Sequence, residues 1–149
     1  MIEQIYGDLL SSDMQVIAHG CNCFHTMSAG IAKEIKIKYP QAFAADKATI
    51  YGDINKLGTY SRATITEIPL DIINCYTQHK FGTDKVHVDY DAIIKVMTKI
   101  KNDYSPAIRI GFPRIGCGLA GGDWDIVYSI LDRVFDDRFV WIYMKEKTK

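Results

Sequence analysis

Apolar residues recur along the chain in two alternating patterns, one typical of strands and the other of helices. Runs with strand character occur at about 2–6, 14–19, 59–66, 71–76, 107–112 and 138–144. Helical spacing occurs at 29–38, 89–103 and 123–135, and Pro40 with the Ala- and Phe-rich run after it predicts another short helix. Because strands and helices alternate, while the two middle strands form a hairpin-like pair, the pattern predicts an α/β fold with a mixed six-stranded sheet between helical layers.

Two aspartates mark the starts of predicted helices. Asp89 precedes the run from Tyr90 to Lys101, and Asp123 precedes the run from Trp124 to Phe135. Aspartate is a preferred N-cap because its carboxylate accepts hydrogen bonds from the free amides of the first turn. On this ground alone, Asp123 is as good a candidate for a helix cap as for a catalytic residue.

Composition indicates one domain spanning residues 1–149. Lys+Arg and Asp+Glu are both 18, 48% of the 149 residues are hydrophobic, and no repeat or linker divides the chain. Zero net charge argues against strong general binding to nucleic acid through phosphates. The chain shows neither a leader-like N-terminus nor an apolar run of about 18–20 residues, so we expect a cytoplasmic protein that does not enter membranes. We also expect a monomer.

The cysteines do not look like a disulfide framework. Cys21, Cys23, Cys75 and Cys117 are unevenly spaced, which favours reduced thiols. His19, Cys21, Cys23 and His25 alternate within seven residues, which leaves a zinc site as an alternative. Alternate side chains of an extended segment are poorly placed for one tetrahedron, so we expect no metal and no cofactor.

The segment 113–124 (Pro-Arg-Ile-Gly-Cys-Gly-Leu-Ala-Gly-Gly-Asp-Trp) is the densest candidate for ligand chemistry. Glycines permit positive φ, and inward-turned amides beside a helix N-terminus bind anions, so we expect a phosphate-binding loop. The stretch from Gly116 to Gly121 also fits G-x-G-x-x-G, but a dinucleotide-binding unit would open a series of strands, and only one strand follows. A plain tight turn is the other interpretation.

A second strand-to-helix loop, residues 26–32 (Thr-Met-Ser-Ala-Gly-Ile-Ala), offers a further set of backbone amides. Two such loops at the carboxyl ends of neighbouring strands would hold a diphosphate between them. After the first strand, Gly7 precedes Asp8. A carboxylate only accepts hydrogen bonds, so Asp8 would either cap a turn or receive an exocyclic amine such as that of adenine.

Two hydrolase classes are excluded by spacing. A Cys-x5-Arg phosphatase needs arginine six positions after its cysteine, and Met27, Ala29, Phe81 and Asp123 stand there instead. A serine hydrolase with a G-x-S-x-G elbow is excluded because that motif is absent from the chain.

Three segments together resemble the macrodomain family over essentially the whole chain. They are Gly-Asp-Leu-Leu at 7–10, Ala-His-Gly-Cys-Asn at 18–22 leading to Met-Ser-Ala-Gly-Ile-Ala at 27–32, and residues 113–124. The branch they look like contains the terminal ADP-ribose protein glycohydrolase and the yeast ADP-ribose 1''-phosphate phosphatase. The resemblance implies a three-layer α/β/α domain that binds ADP-ribose at the top of its sheet.

The family's binding residues can be carried over onto matching positions. Asp8 would receive the adenine amine, Leu9 would add a neighbouring amide, and Asn22 would face the distal ribose. One side of the diphosphate would contact Ser28, Ala29, Gly30, Ile31 and Ala32. The other side, with the distal ribose, would contact Ile115, Gly116, Cys117, Gly118, Leu119 and Ala120.

Two departures from the family pattern affect the expected chemistry. Gln78 and Ala120 stand where the glycohydrolase has an adduct-forming lysine and an assisting aspartate, although Lys80 and Asp123 lie nearby in sequence. We therefore expect hydrolysis of ADP-ribose 1''-phosphate to ADP-ribose and phosphate, with Asn22 orienting the ribose and His25 or Asp123 as general acid or base. The alternatives are removal of ADP-ribose from protein or nucleic acid, and a non-catalytic reader of ADP-ribose.

Overall fold

The computed structural model describes residues 1–82, 86–117 and 120–145. Its strands are β1 (Ile2–Tyr6), β2 (Val16–Cys21), β3 (Tyr60–Ile65), β4 (Leu70–Tyr76), β5 (Ile110–Phe112) and β6 (Val140–Met144). Its α-helices are α1 (Gly30–Lys38), α2 (Pro40–Lys47), α3 (Tyr90–Asp103) and α4 (Trp124–Val134). Short 3₁₀ turns lie at Leu9–Ser11 and Ile54–Lys56.

The six strands form one mixed sheet in the order β1-β6-β5-β2-β4-β3. All neighbouring pairs are parallel except β3 with β4, which pair antiparallel from Tyr60 with Cys75 to Ile65 with Leu70. The predicted hairpin-like pair is therefore confirmed, and so is the mixed six-stranded sheet. Five parallel strands consequently end on the same edge of the sheet.

Helices cover both faces of the sheet and bury two separate apolar cores. On one face, α3 and α4 contribute a buried stripe that includes Ile93, Ile100 and Leu131. On the other face, α1 and α2 pack through Ile35 and Ala42. Nearly continuous burial of β2 and β4 follows from coverage on both sides. This confirms the predicted three-layer α/β/α architecture.

Helix starts agree with the capping predictions. Asp89 accepts a hydrogen bond from the Ala92 amide at 3.0 Å, and Asp123 accepts one from the Asp125 amide at 2.9 Å. Both aspartates therefore cap helices. The N-cap of α1 is Ala29, which has no side-chain acceptor.

The observed bounds of β2 and β5 differ most from the expected ones. β2 begins at Val16 and continues to Cys21, because Gly20 and Cys21 still pair with Cys75 and Tyr76 of β4. β5 keeps only three residues of the expected run, and these pair with the first two residues of β2 and with Trp141 and Ile142 of β6. In the described residues no helix is both long and apolar enough to cross a membrane.

Candidate active-site cleft

The cleft lies where the chain leaves two neighbouring parallel strands in opposite directions. β2 and β5 are paired, but β2 leads to α1 on one face of the sheet and β5 leads to α4 on the other. Ligands of open α/β sheets collect at such a switch point, outside the carboxyl ends of the strands. Here the site is a cleft of about 1460 Å³. It is lined by residues that follow β1, β2, β4, β5 and β6.

One wall of the cleft is the start of α1. Ser28, Ala29, Gly30, Ile31 and Ala32 all line it. The first amides of a helix have no intrahelical partner, and the Ala29 cap offers them no side-chain acceptor. Met27 (φ 40°) and Gly30 (φ 57°) adopt positive φ where the chain turns into the helix. This wall therefore presents free N–H donors and the positive end of a helix dipole to the cleft.

The opposite wall is the loop after β5. Ile115, Gly116, Cys117 and Ala120 line the cleft, whereas the expected ligand residues Gly118 and Leu119 lie outside the described residues. Gly116 has φ +74°, and its carbonyl accepts the Gly122 amide at 2.7 Å. The predicted ligand loop is thus drawn together at its two ends.

Asp8 stands at the end of the cleft beside β1. Its carboxylate accepts hydrogen bonds from the Leu10 amide (3.0 Å) and the Ser11 hydroxyl (2.9 Å), so it caps the turn that contains Leu9. Asp8, Leu9 and Tyr143 all line the cleft. Each carboxylate oxygen has a second lone pair, so the capping bonds leave Asp8 able to accept an amine from a ligand.

Asn22 and Gln78 line the other end of the cleft. The Asn22 amide donates to the Thr26 hydroxyl at 2.7 Å and accepts from the Phe24 amide at 2.8 Å, which shapes the loop before α1. Gln78 donates to the Lys80 carbonyl at 2.7 Å. An uncharged amide therefore occupies the place where the resemblance would put an adduct-forming lysine.

The two expected acid–base residues are not among the described residues that line the cleft. The His25 ring is 3.0 Å from the Thr49 hydroxyl and packs edge-on against Tyr51, on the α2 side of the loop. Asp123 caps α4. Burial raises the pKa of the cleft residue Cys117 to about 11; Arg114 opposes this rise and Asp123 adds to it.

A chain of buried and partly buried polar groups, which sequence patterns did not reveal, runs from β2 across β4 and β3 to α2. His19 Nε2 is 2.7 Å from Asn74 Oδ1, and Asn74 Nδ2 is 3.0 Å from Ser61 Oγ. Ser61 Oγ is 2.8 Å from Tyr76 Oη, which donates to Asp46 Oδ1 at 2.7 Å. Burial lowers the pKa of His19 to about 4, despite the opposing effect of its bond to Asn74. His19 is thus a buried core residue with a hydrogen-bond partner.

Aromatic side chains cluster beside the Gln78 end of the cleft. Phe24 packs against Tyr51 (5.3 Å between ring centroids), His79 (5.0 Å) and Phe81 (6.3 Å). Tyr51 is 67% exposed and Phe81 57%, and Phe81 also lines the cleft. The cleft is therefore continuous with an exposed aromatic surface, called here the aromatic cluster.

Sequence comparison finds relatives along nearly the whole chain, although no family model matches it. An uncharacterised 17.5 kDa protein of Enterobacteria phage T4 is 36% identical over 143 residues, covering 89% of this chain and 88% of that protein. The DNA ADP-ribosyl glycohydrolase of Mycobacterium tuberculosis is 29% identical over 91% of this chain, which spans only 39% of that protein. The ADP-ribose 1''-phosphate phosphatase of Candida albicans is 26% identical, covering 97% of this chain and 99% of that protein.

Solved structures give the same architecture. The macrodomain of Mycobacterium tuberculosis DarG is 26% identical with a TM-score of 0.78, covering 96% of this chain and 97% of that one. Thermosipho africanus DarTG in complex with ADP-ribose is 18% identical with a TM-score of 0.80, covering 99% of this chain and 42% of that one. With its α/β/α layers, strand order and switch-point cleft, the chain belongs to the macrodomain family.

Proposed function

We propose that this chain binds ADP-ribose in the cleft. The observation that carries the proposal is that two stretches of backbone, the start of α1 and the loop after β5, face each other across the cleft. The free amides at the start of α1 suit one phosphate of a diphosphate, and the glycine loop suits the other. Relatives support the ligand, since the phosphatase of Candida albicans acts on an ADP-ribose derivative by name and the Thermosipho structure contains ADP-ribose.

The proposed orientation follows from the two ends of the cleft. Adenine lies against Asp8, with Leu9 supplying a neighbouring amide, and the diphosphate lies between residues 28–32 and 115–120. The distal ribose lies next to Asn22 and Gln78. Any substituent on that ribose then points toward the aromatic cluster.

The proposed reaction is hydrolysis of the bond between the distal ribose and its substituent, releasing ADP-ribose. The first candidate substituent is phosphate: water cleaves the phosphate monoester of ADP-ribose 1''-phosphate, and inorganic phosphate leaves. Two facts favour it. The Candida phosphatase is matched over 99% of its length, and Gln78 provides no amine for a lysine adduct.

The second candidate substituent is a macromolecule. The aromatic cluster favours it, because exposed rings continuous with the cleft offer stacking surface to a group attached beyond the ribose. The Mycobacterium relative, a DNA ADP-ribosyl glycohydrolase by name, also favours it. In this case water cleaves the glycosidic bond at the distal ribose and the macromolecule leaves.

Proton transfer by His25 or Asp123 stays a prediction under either candidate. His25 bonds Thr49 and Asp123 caps α4 through one carboxylate oxygen, and neither is among the described residues that line the cleft. Asn22, whose expected role is to orient the distal ribose and not to transfer a proton, does line the end of the cleft proposed for that ribose.

One assay separates these candidates. The protein is incubated with ADP-ribose 1''-phosphate and, separately, with ADP-ribosylated DNA and ADP-ribosylated protein, and released phosphate and ADP-ribose are measured. We expect phosphate release from the first substrate. Release of ADP-ribose from a macromolecule alone would establish the second candidate, and a Phe81→Ala variant should then be slower than Phe139→Ala, whose 54% exposed ring lies just before β6. Binding of ADP-ribose without either release would identify a reader.

Replacing Asp8 by asparagine tests the adenine end. Asparagine keeps an oxygen for the Leu10 amide, so the turn should persist, but the carboxylate that meets the adenine amine is lost. We expect ADP-ribose to bind more weakly by about 1–3 kcal/mol, measured by calorimetry. Ribose 5-phosphate, which lacks adenine, should bind both proteins equally. An unchanged affinity for ADP-ribose would contradict the assignment of Asp8.

A further inference from the structure

Asp46 has one carboxylate oxygen that nothing in the described chain satisfies. The residue lies in the last turn of α2, is 1% exposed, and yet lines the cleft together with Cys21 and Asn22. Oδ1 accepts the Tyr76 hydroxyl at 2.7 Å, whereas Oδ2 is buried and has no hydrogen-bond partner among residues 1–82, 86–117 and 120–145. Leaving a buried charged acceptor without a donor is costly, so a donor from outside the protein is expected there.

The buried polar chain fixes the direction of every hydrogen bond that leads to Asp46. Asn74 Nδ2 donates both to the Ala42 carbonyl and to the Ser61 hydroxyl. The oxygen of the Asn74 amide therefore faces His19 and accepts a hydrogen bond from it, so the His19 proton is on Nε2. Ser61 accepts from Asn74 and therefore gives its own proton to Tyr76, because Tyr76 gives its proton to Asp46. All four bonds point toward the carboxylate, which they hold in one orientation.

A buried cation, Lys56, contacts the same Tyr76 ring without pairing with Asp46 among the described residues. Lys56 is 8% exposed, and its ammonium lies 2.9 Å from the Thr49 hydroxyl and 5.0 Å from the centroid of the Tyr76 ring. Within the described chain, no ion pair joins Lys56 to Asp46. Burial raises the pKa of the Cys21 thiol, Asp46 adds to that rise, and Lys56 opposes it. A carboxylate and an ammonium thus flank the same buried compartment, and the carboxylate keeps a free oxygen.

We propose that Asp46 Oδ2 is the acceptor site for one O–H group in the cleft, next to Asn22 at the end assigned to the distal ribose. The inference rests on the proposed binding of ADP-ribose. It adds Asp46, which lies outside the sequence motifs described above, to the residues that contact the ligand or the attacking water. The donor is either a hydroxyl of the ligand or a water molecule placed for hydrolysis. With a hydroxyl, Asp46 is a binding residue. With a water, it is the general base: it takes a proton from the water as the water oxygen bonds to the phosphorus or to the anomeric carbon, and the bond from that atom to its leaving group breaks.

The test is an Asp46→Asn variant beside an Asp53→Asn control. The asparagine of the first variant would keep an oxygen for the Tyr76 hydroxyl and would replace Oδ2 by an amide that cannot accept. Asp53 follows α2, caps a turn through the Asn55 amide and is not among the described residues lining the cleft, so its variant makes the same change of charge nearby. If a ligand hydroxyl is the donor, affinity for ADP-ribose should fall about 5- to 150-fold, with no change in the control. If water is the donor, affinity should hold and kcat should fall about 10²- to 10⁴-fold at unchanged KM.

Two results would overturn the inference while the proposed function stands. One is an Asp46→Asn variant whose affinity and kcat both stay within about twofold of the parent. The other, which holds even where that variant fails to fold, is a crystal structure of the parent protein with ADP-ribose in the cleft and no oxygen atom within hydrogen-bond distance of Asp46 Oδ2. Failure of the parent to bind ADP-ribose would instead refute the proposed function. A ligand-free crystal structure would then test Asp46 separately. A water bound to Oδ2 would support its role as an acceptor, and the absence of such a water would refute it.

Discussion

Replacing Gly122 by alanine should both destabilise the protein and impair the cleft. A Cβ at this position would lie 2.4 Å from the Gly116 carbonyl oxygen and 2.9 Å from Val88 Cγ1. Because that carbonyl already bonds the Gly122 amide, the loop cannot yield without opening the contact that draws its ends together. We expect the free energy of unfolding to fall by about 1–3 kcal/mol. Affinity for ADP-ribose should fall about 10- to 100-fold, as two or three amide donors lose their positions.

Gly7→Ala is the matched control for this experiment. Its Cβ would meet nothing closer than the Tyr143 ring at 3.8 Å, and Gly7 has no positive φ. Urea unfolding should therefore place Gly7→Ala within about 0.5 kcal/mol of the parent protein. If Gly122→Ala were as stable as Gly7→Ala and bound ADP-ribose normally, the loop would not depend on the contact between Gly116 and Gly122.

Mild acid should destabilise the protein through His19. Burial lowers the pKa of His19 from 6.5 to about 4, so the folded protein keeps the ring neutral at pH values where the unfolded chain protonates it. The stabilisation that results from keeping His19 neutral is fully present above pH 6.5 and is lost progressively as the pH falls from 6.5 to about 4. Over this whole pH range the free energy of unfolding should fall by about 3 kcal/mol, and about 2 kcal/mol of that loss should have occurred by pH 5.

Urea unfolding at pH 7.5, 6, 5 and 4 measures this loss. A His19→Gln variant is the control, because glutamine can still donate to Asn74 Oδ1 but does not titrate in this range. Its stability should change less between pH 7.5 and pH 5 than that of the parent protein. Equal pH dependence of the two proteins would show that His19 is not kept neutral by burial.

The fold could be predicted from the sequence because each element carries its own local signal. Alternating apolar residues located β1 to the residue, and the two aspartate caps located the starts of α3 and α4. The strand ends were less predictable where pairing decides them. Gly20 has poor strand propensity, but it pairs with Cys75 and thus belongs to β2.

The cleft was predictable only where glycines mark it. The glycines at 30 and 116 pointed to the loops that line it, and so did Asp8 after Gly7. Asp46 gave no such signal, because a carboxylate in an Ala-rich helix normally faces water. Its role depends on Tyr76, Ser61 and Asn74, which reach it only when β3, β4 and α2 have packed together. His25 is the opposite case: it lies in the loop between β2 and α1, which the sequence associated with the site, but its ring bonds Thr49 and is not in the cleft.

The pairing of β1 with β6 has a consequence for synthesis on the ribosome. Ile2 to Tyr6 pair with Val140 to Met144, so β1 has no partner strand until β6 has been translated. Contacts of such long sequence separation also slow folding. The Gly7 amide bonds the Met144 carbonyl at 2.9 Å, beside Asp8. The adenine end of the cleft is therefore expected to be the last part to form, so nascent chains lacking β6 should acquire the glycine loops before they can retain a nucleotide.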